Sequence, residues 1–389
     1  MKRFLSVMIG CAALACPAFA AEVSAPEAAP EAAAEAAAAP QESTWQKVLA
    51  HMPKISGYLQ TGWNFTSNKN SSSSSFQAKR LRLIMDGNVG EKVDFRLQIE
   101  AFNGIAGSTN GNGQKNIQVM DAFATWKIAP EFKIRAGQFY TPMGYENYDI
   151  SPATLETVDF SNIVYRIACR NPYEYNFVDY GRDLGVMLIG DIGDSGEGYR
   201  YFHYDFAVTN GSIPCKDDRN NSKDIIASVT IRPFKNFNVK ATYNWGEYSS
   251  QKLAGGTGVG EGKYNPMHRF VAGAWYNDPN GLDLRAEYGF AKSSKNSNDV
   301  VKEQGAYVFA GYHAGKFLPL VRWDMYKDDM NKLTPGANYN RVLVGCTYQL
   351  FKNVKIQLNY GHFFYNSDVE NAVGYKGSEQ VQLMGLFKF

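Results

Sequence analysis

"VDFRLQIEA" spans residues 93–101, and its side chains divide by parity. Val93, Phe95, Leu97, Ile99 and Ala101 fall on one set of positions; Asp94, Arg96, Gln98 and Glu100 fall on the other. Successive Cβ atoms of an extended chain point to opposite faces, so this alternation predicts a strand with one apolar and one polar side. The same reading fits "LDLRAEYGF" (282–290) and "VKIQLNY" (354–360). It also fits "SEQVQLMGLFKF" (378–389), where Val381, Leu383, Phe387 and Phe389 oppose Gln380, Gln382 and Lys388.

Carried along the chain, the period of two gives about sixteen strands, the first near 54–65 and the last near 378–389. Short connections such as "GE", "AP", "FK" and "DPNG" alternate with long polar ones such as "TSNKNSSSSS" and "YSSQKLAGGTGVGEGKYN". Beyond the N-terminal segment no apolar run is long enough for a transmembrane helix, but a barrel crosses a bilayer on shorter, alternating strands. Lipid cannot hydrogen-bond a backbone, so such a sheet must close on itself. The expected fold is all-β: a closed antiparallel transmembrane β-barrel of about sixteen strands. A soluble β-sandwich would also alternate; strand number and aromatic girdles argue against it. Trp63, Trp126, Trp245, Trp275, Trp323, Tyr360 and Phe364 lie toward strand ends and are expected to form those girdles.

Residues 1–20 read as a signal peptide, with Lys2 and Arg3 before "FLSVMIGCAALAC" and an A-x-A site at 18–20. Acylation at Cys16 is the rival reading. Residues 21–53 form an Ala/Glu/Pro-rich periplasmic leader with a short helix expected over 43–52, and residues 54–389 the barrel. Residues 46–389 hold 38 basic and 33 acidic residues, too mild an excess for a nucleic-acid partner. Of the cysteines outside the signal, Cys169 and Cys215 could oxidise together after export, while Cys346 is expected to face outward as a small hydrophobe.

Residues 80–180 carry a more specific pattern. "RLRLIMDGNVGEKVDFRLQIE" (80–100) and "VMDAFATWKIAPEFKIRAGQFYTPMGYE" (119–146) resemble segments of the phosphate-selective porin O and P family, the second through Gly137, Gln138, Phe139, Pro142, Gly144 and Glu146. "GRDLGVMLIGDI" (181–192) and "YDFAVTNG" (204–211) resemble later elements of that family. The likeness implies a sixteen-stranded barrel, usually a homotrimer embedded in outer-membrane lipid, that passes small solutes. The terminal Phe389 on an amphipathic strand resembles the C-terminal signature of bacterial outer-membrane proteins.

Alternation places Arg80, Arg82, Arg96, Lys133, Arg135, Lys240, Arg285, Arg322, Arg341 and Lys355 on the lumen side, among Asp86, Asp94, Glu100, Asp121, Asp283, Glu287 and Asp324. Most are expected to pair as lumen salt bridges. Arg80, Arg82, Lys133 and Arg135 are the best candidates for an anion-attracting stripe. The segment 141–180 is the expected constriction loop, with Asp149, Glu156, Asp159, Arg166 and Arg170 among its charges; an external lid is the alternative. Its acidic balance, and Tyr140 where family members carry Lys, suggest the transverse field of general porins. The expected function is an outer-membrane porin for passive diffusion of small polar or anionic solutes, phosphate among the candidates. A surface adhesin or structural barrel is the alternative. "GGTGVGEG" (255–262) lies between strands and reads as an external loop, not a nucleotide site. No G-x-S-x-G occurs, and no His spacing suits a metal, so no catalytic residue, metal or cofactor is expected.

Overall fold

A computed structural model describes residues 52–102, 117–169, 181–212, 214–215, 217–218, 222–247, 266–294, 300–329 and 332–389. The signal, nearly all of the leader with its expected short helix, "GGTGVGEG" and Arg170 lie outside these residues. No helix among the described residues is long and apolar enough to cross a membrane.

The strands are β1 (Lys54–Asn68), β2 (Ser72–Val89), β3 (Val93–Glu100), β4 (Gln118–Ala129), β5 (Phe132–Tyr140), β6 (Arg182–Asp194), β7 (Arg200–Thr209) and β8 (Asp224–Phe234). They continue as β9 (Phe237–Glu247), β10 (Pro266–Asn277), β11 (Leu282–Ser294), β12 (Val300–Tyr312), β13 (Phe317–Asp328), β14 (Asn338–Phe351), β15 (Val354–Tyr365) and β16 (Gly377–Lys388). Each pairs antiparallel with its neighbours in sequence, and β16 returns to β1, closing the barrel. The closing register sets Gln60 opposite Leu386 and Asn64 opposite Gln382. Beyond it, the Gly57 N–H donates to the Phe389 carbonyl at 2.9 Å. A closed sheet leaves no edge unpaired, which is what hydrocarbon demands.

The outside is apolar and the inside polar, the reverse of a soluble core. On β9, Lys240, Thr242 and Asn244 are at most 1% exposed, whereas Val239, Tyr243 and Trp245 between them are 39–44% exposed. Leu97 and Gln98 divide the same way on β3. Cys346 faces outward, half-buried, beside Val344. Among the described residues two short helices interrupt the loops, α1 (Tyr145–Tyr148) and α2 (Ser367–Val373), with one π-helical turn at Ile163–Ala168.

One expectation is corrected, and one open possibility is answered. Trp275 is no girdle residue: it is 9% exposed, points into the lumen and packs on Tyr145. A ring of that size at an inward position is sheltered because a loop fills the space before it. No disulfide joins Cys169 to Cys215; the first is buried and the second exposed.

Candidate functional site: the lumen and its loop

The described part of the third long loop, residues 141–169, lies inside the barrel. Its apolar side chains meet apolar inward residues of the wall: Met143, Ile163 and Ile167 share a cluster with Val271, Tyr307, Phe309, Leu320 and Leu343. Tyr145, Ile150, Leu155, Phe160 and Val164 gather around Trp275. Contiguous burial of this kind, at about 25 cal/mol per Å² of apolar surface, is what draws a loop out of water and onto a wall.

Gly144 sets the entry. Its φ is 76°, and a Cβ there would stand 2.7 Å from Glu287 Oε1 and 2.9 Å from Val271. The close approach lets the Glu287 carboxylate accept the Tyr145 and Glu146 N–H groups at 2.6 and 3.0 Å, and the Tyr307 hydroxyl at 2.8 Å. Glu146 in turn accepts the Ser161 N–H at 2.7 Å. Burial pushes the Glu146 carboxyl up, against the pull of Arg322.

Backbone carbonyls of the loop are the main acceptors. Arg322, oriented by Asp324 at 2.9 Å, donates to the carbonyls of Asp159 at 2.9 Å and Phe160 at 3.3 Å and to Thr157 Oγ1 at 3.0 Å. Arg269 donates to Ile167 and Ala168 carbonyls at 3.0 and 2.7 Å. Lys355 reaches the Leu155 carbonyl at 2.6 Å, and Gln357 spans those of Leu155, Glu156 and Thr157. Arg80 donates to the Val158 carbonyl at 3.3 Å and to Gln60.

Carboxylates on the loop add ion pairs. Asp149 takes Lys240 at 2.6 Å, and Glu156 lies 3.7 Å from Lys355. Asp159 takes Lys79 and, at 2.8 Å, the Gln382 amide. Burial alone would raise the Asp159 carboxyl; the Lys79 ammonium, with Arg341 and Arg80, outweighs it and holds the group well below the usual carboxylate range. Arg166 donates to the Gly336 carbonyl at 3.0 Å.

The remaining basic positions serve the wall. Arg82 pairs with buried Glu100 at 3.0 Å, Arg285 with Asp283 two residues away, and Arg96 with Asp86 at 2.7 Å. Arg341 donates to Gln380 at 2.9 Å and lies over Phe363. The expected stripe is divided. Arg80 and Arg82 are buried, whereas Lys133 and Arg135 line an open cavity of about 1220 Å³ at the short-turn end. Around that cavity Lys54, Arg96, Lys127, Lys133 and Arg135 face Asp86, Glu91, Asp94 and Asp121, and Tyr140 and Tyr148 also line it. Lys133 is held by Asp191 at 3.1 Å; Arg135 donates to Thr125 at 3.1 Å and lies 4.3 Å over Phe123, with no carboxylate partner among the described residues.

Several inward cations escaped the sequence reading, Lys54 and Lys127 of that cavity among them. Lys79 sits at a β-bulge, where the β1–β2 register shifts between Gln60 and Thr61, so it and Arg80 both reach the lumen. Arg182 pairs with Asp121 at 2.6 Å and covers the Tyr140 ring at 3.5 Å. Arg269 shares parity with Trp275, so assigning Trp275 to the outside hid Arg269 as well; "HRFVAGAW" read the other way would have found both.

Solved outer-membrane channels share this architecture. The anion-selective porin of Comamonas acidovorans is similar over 87% of this chain and 99% of that one, at 13% identity and a TM-score of 0.60. OmpF of Salmonella typhi, in complex with daunomycin, is similar over 87% and 97%, at 16% identity and a TM-score of 0.60. The trimer form of OmpT of Vibrio cholerae is similar over 87% and 99%, at 15% identity and a TM-score of 0.56. No curated protein matches the chain. The barrel therefore has the porin fold, and its residues 56–172 match the model of the phosphate-selective porin O and P family.

Proposed function

We propose that the chain is a general-diffusion porin of the bacterial outer membrane, exported by its N-terminal signal, assembled as a homotrimer, and weakly selective for anions. The family match and the fold suit a channel rather than a catalyst. The observation that carries the selectivity is Arg135, a guanidinium that lines the cavity, rests on Phe123 and has no carboxylate partner among the described residues. Arg96, Lys127 and Lys133 are matched by Asp86, Asp94 and Asp191, and the lining also holds Lys54 and Glu91, of opposite charge, so the field across the opening is mixed and only slightly positive. Such a wall suits small polar and anionic solutes broadly better than phosphate alone. The trimer reading draws on the assembly named for OmpT.

Reversal potentials in a KCl gradient across planar bilayers test the proposal. A small excess of chloride over potassium permeability is expected; clear cation selectivity refutes it. Liposome swelling with uncharged sugars separates a porin from an adhesin, which need not pass them.

A further inference from the structure

Arg135 of β5 is fixed in position but only half engaged. Thr125 stands opposite it on β4, and the Arg135 Nε donates to Thr125 Oγ1 at 3.1 Å. The guanidinium lies 4.3 Å over the ring of Phe123, two residues along the same strand. Its terminal N–H groups have no partner among the described residues, and the side chain lines the cavity of about 1220 Å³. Of the other cavity cations, Arg96 is engaged by Asp86 at 2.7 Å, Lys127 by Asp94 at 2.8 Å and Lys133 by Asp191 at 3.1 Å. Lys54, the first residue of β1, stands exposed at the short-turn rim, as does Glu91 in the β2–β3 turn.

Ring surface adjoins the open fork. Phe123 and Tyr148 pack on one apolar cluster, and both line the cavity. Tyr148 donates its hydroxyl to Asp205 at 3.0 Å, so it offers the cavity a ring rather than a free donor. A guanidinium can take two carboxylate oxygens side by side. A fork next to rings therefore matches a solute with a carboxylate at one end and an apolar body at the other. Inorganic phosphate fits worse on two counts. Near neutral pH it carries more than one negative charge, and Asp86, Glu91, Asp94 and Asp121 of the same cavity repel it more than a monoanion. It also presents oxygens on every side, which ring surfaces leave without a donor.

We propose that this corner of the cavity is a subsite for small monocarboxylates with an apolar or aromatic body. The carboxylate sits bidentate on Arg135, and the body lies along Phe123 and Tyr148. The inference deepens the porin reading above and rests on it: one class of solute gains a resting point inside an otherwise broad channel.

The test uses the purified full chain in planar bilayers in KCl, with benzoate, its uncharged isostere benzamide, acetate and inorganic phosphate as probes. Benzoate is expected to interrupt the single-channel current at concentrations roughly tenfold below those acetate needs, because acetate has no ring to bury. Phosphate is expected to need more than benzoate, and benzamide to leave the current unbroken. Arg135→Gln still conducts KCl, but its half-block by benzoate moves about tenfold higher, the loss expected of one charge-assisted pair. Arg135→Lys keeps the charge without the fork and recovers only part of that loss. Equal block by benzoate and phosphate, equal block by benzoate and benzamide, or an Arg135→Gln channel blocked as readily as the parent overturns the subsite. A parent that conducts but shows any of those outcomes loses only the subsite; a parent that carries no KCl current loses the porin reading and the subsite with it.

Discussion

Trp275 of β10 and Tyr145 of the loop stack with ring centroids 3.8 Å apart and planes 13° from parallel. The pair joins the barrel wall to the first turn inside the lumen. Replacing Trp275 by Ala removes a large buried ring and is expected to cost about 3 kcal/mol in thermal or denaturant unfolding. Single-channel conductance should rise, because the loop loses a contact that holds it to the wall. A double-mutant cycle with Tyr145→Ala should show coupling of about 1 kcal/mol. A strictly additive cycle would mean that the stack contributes nothing of its own.

The Lys79–Asp159 clamp has a defined pH sign. In the unfolded chain the Asp159 carboxyl titrates near 3.8, and in the folded chain it lies below that value. Its stabilisation is therefore present above pH 3.8 and is lost as the pH falls through the folded value. Channel recordings should stay steady down to about pH 4 and become noisy below it. Asp159→Asn should be noisy at neutral pH and lack that acid transition. A variant as quiet as the parent across the range would remove Asp159 from the loop's anchoring.

Arg135 is the cation expected to set selectivity. Arg135→Ala should abolish the small anion preference, and Arg135→Glu should reverse it, with a change of roughly twofold in the permeability ratio. Arg82→Gln should act differently: Arg82 is buried against Glu100, so its loss strands a buried carboxylate and shows in stability more than in reversal potential.

The thiols provide a simpler check. Cys215 is exposed and Cys169 buried. A polar maleimide should label Cys215 in the folded barrel without reductant and reach Cys169 only after denaturation. An intact mass two hydrogens light, with no thiol at Cys215, would restore the bridge.

Most of the barrel was legible because lipid and lumen impose opposite demands on adjacent residues. Val93 to Ala101 therefore declare both strand and facing, and the other strands repeat the rule. The errors have physical causes. An inward Trp275 makes sense only once a loop is known to cover it. Lys79 lies on a bulge, which breaks the parity that found Arg80 and Arg82. The loop's anchoring was invisible for another reason. Arg269, Arg322, Lys355 and Gln357 bind main-chain carbonyls, which every residue carries and no sequence pattern marks. Counting side-chain charges could anticipate Lys240 with Asp149 but not those contacts.

Asp159 is gripped by Lys79 from β2 and by Gln382 from β16, the two strands that flank β1. A single carboxylate thus straddles the seam where the ring of strands is sewn shut. A slip of β16 by two residues would keep every side chain on its proper side, so hydrophobicity alone would not oppose it. The slip would, however, carry Gln382 away from Asp159. The segment inside the channel therefore favours the observed alignment of the closing strand over a two-residue slip.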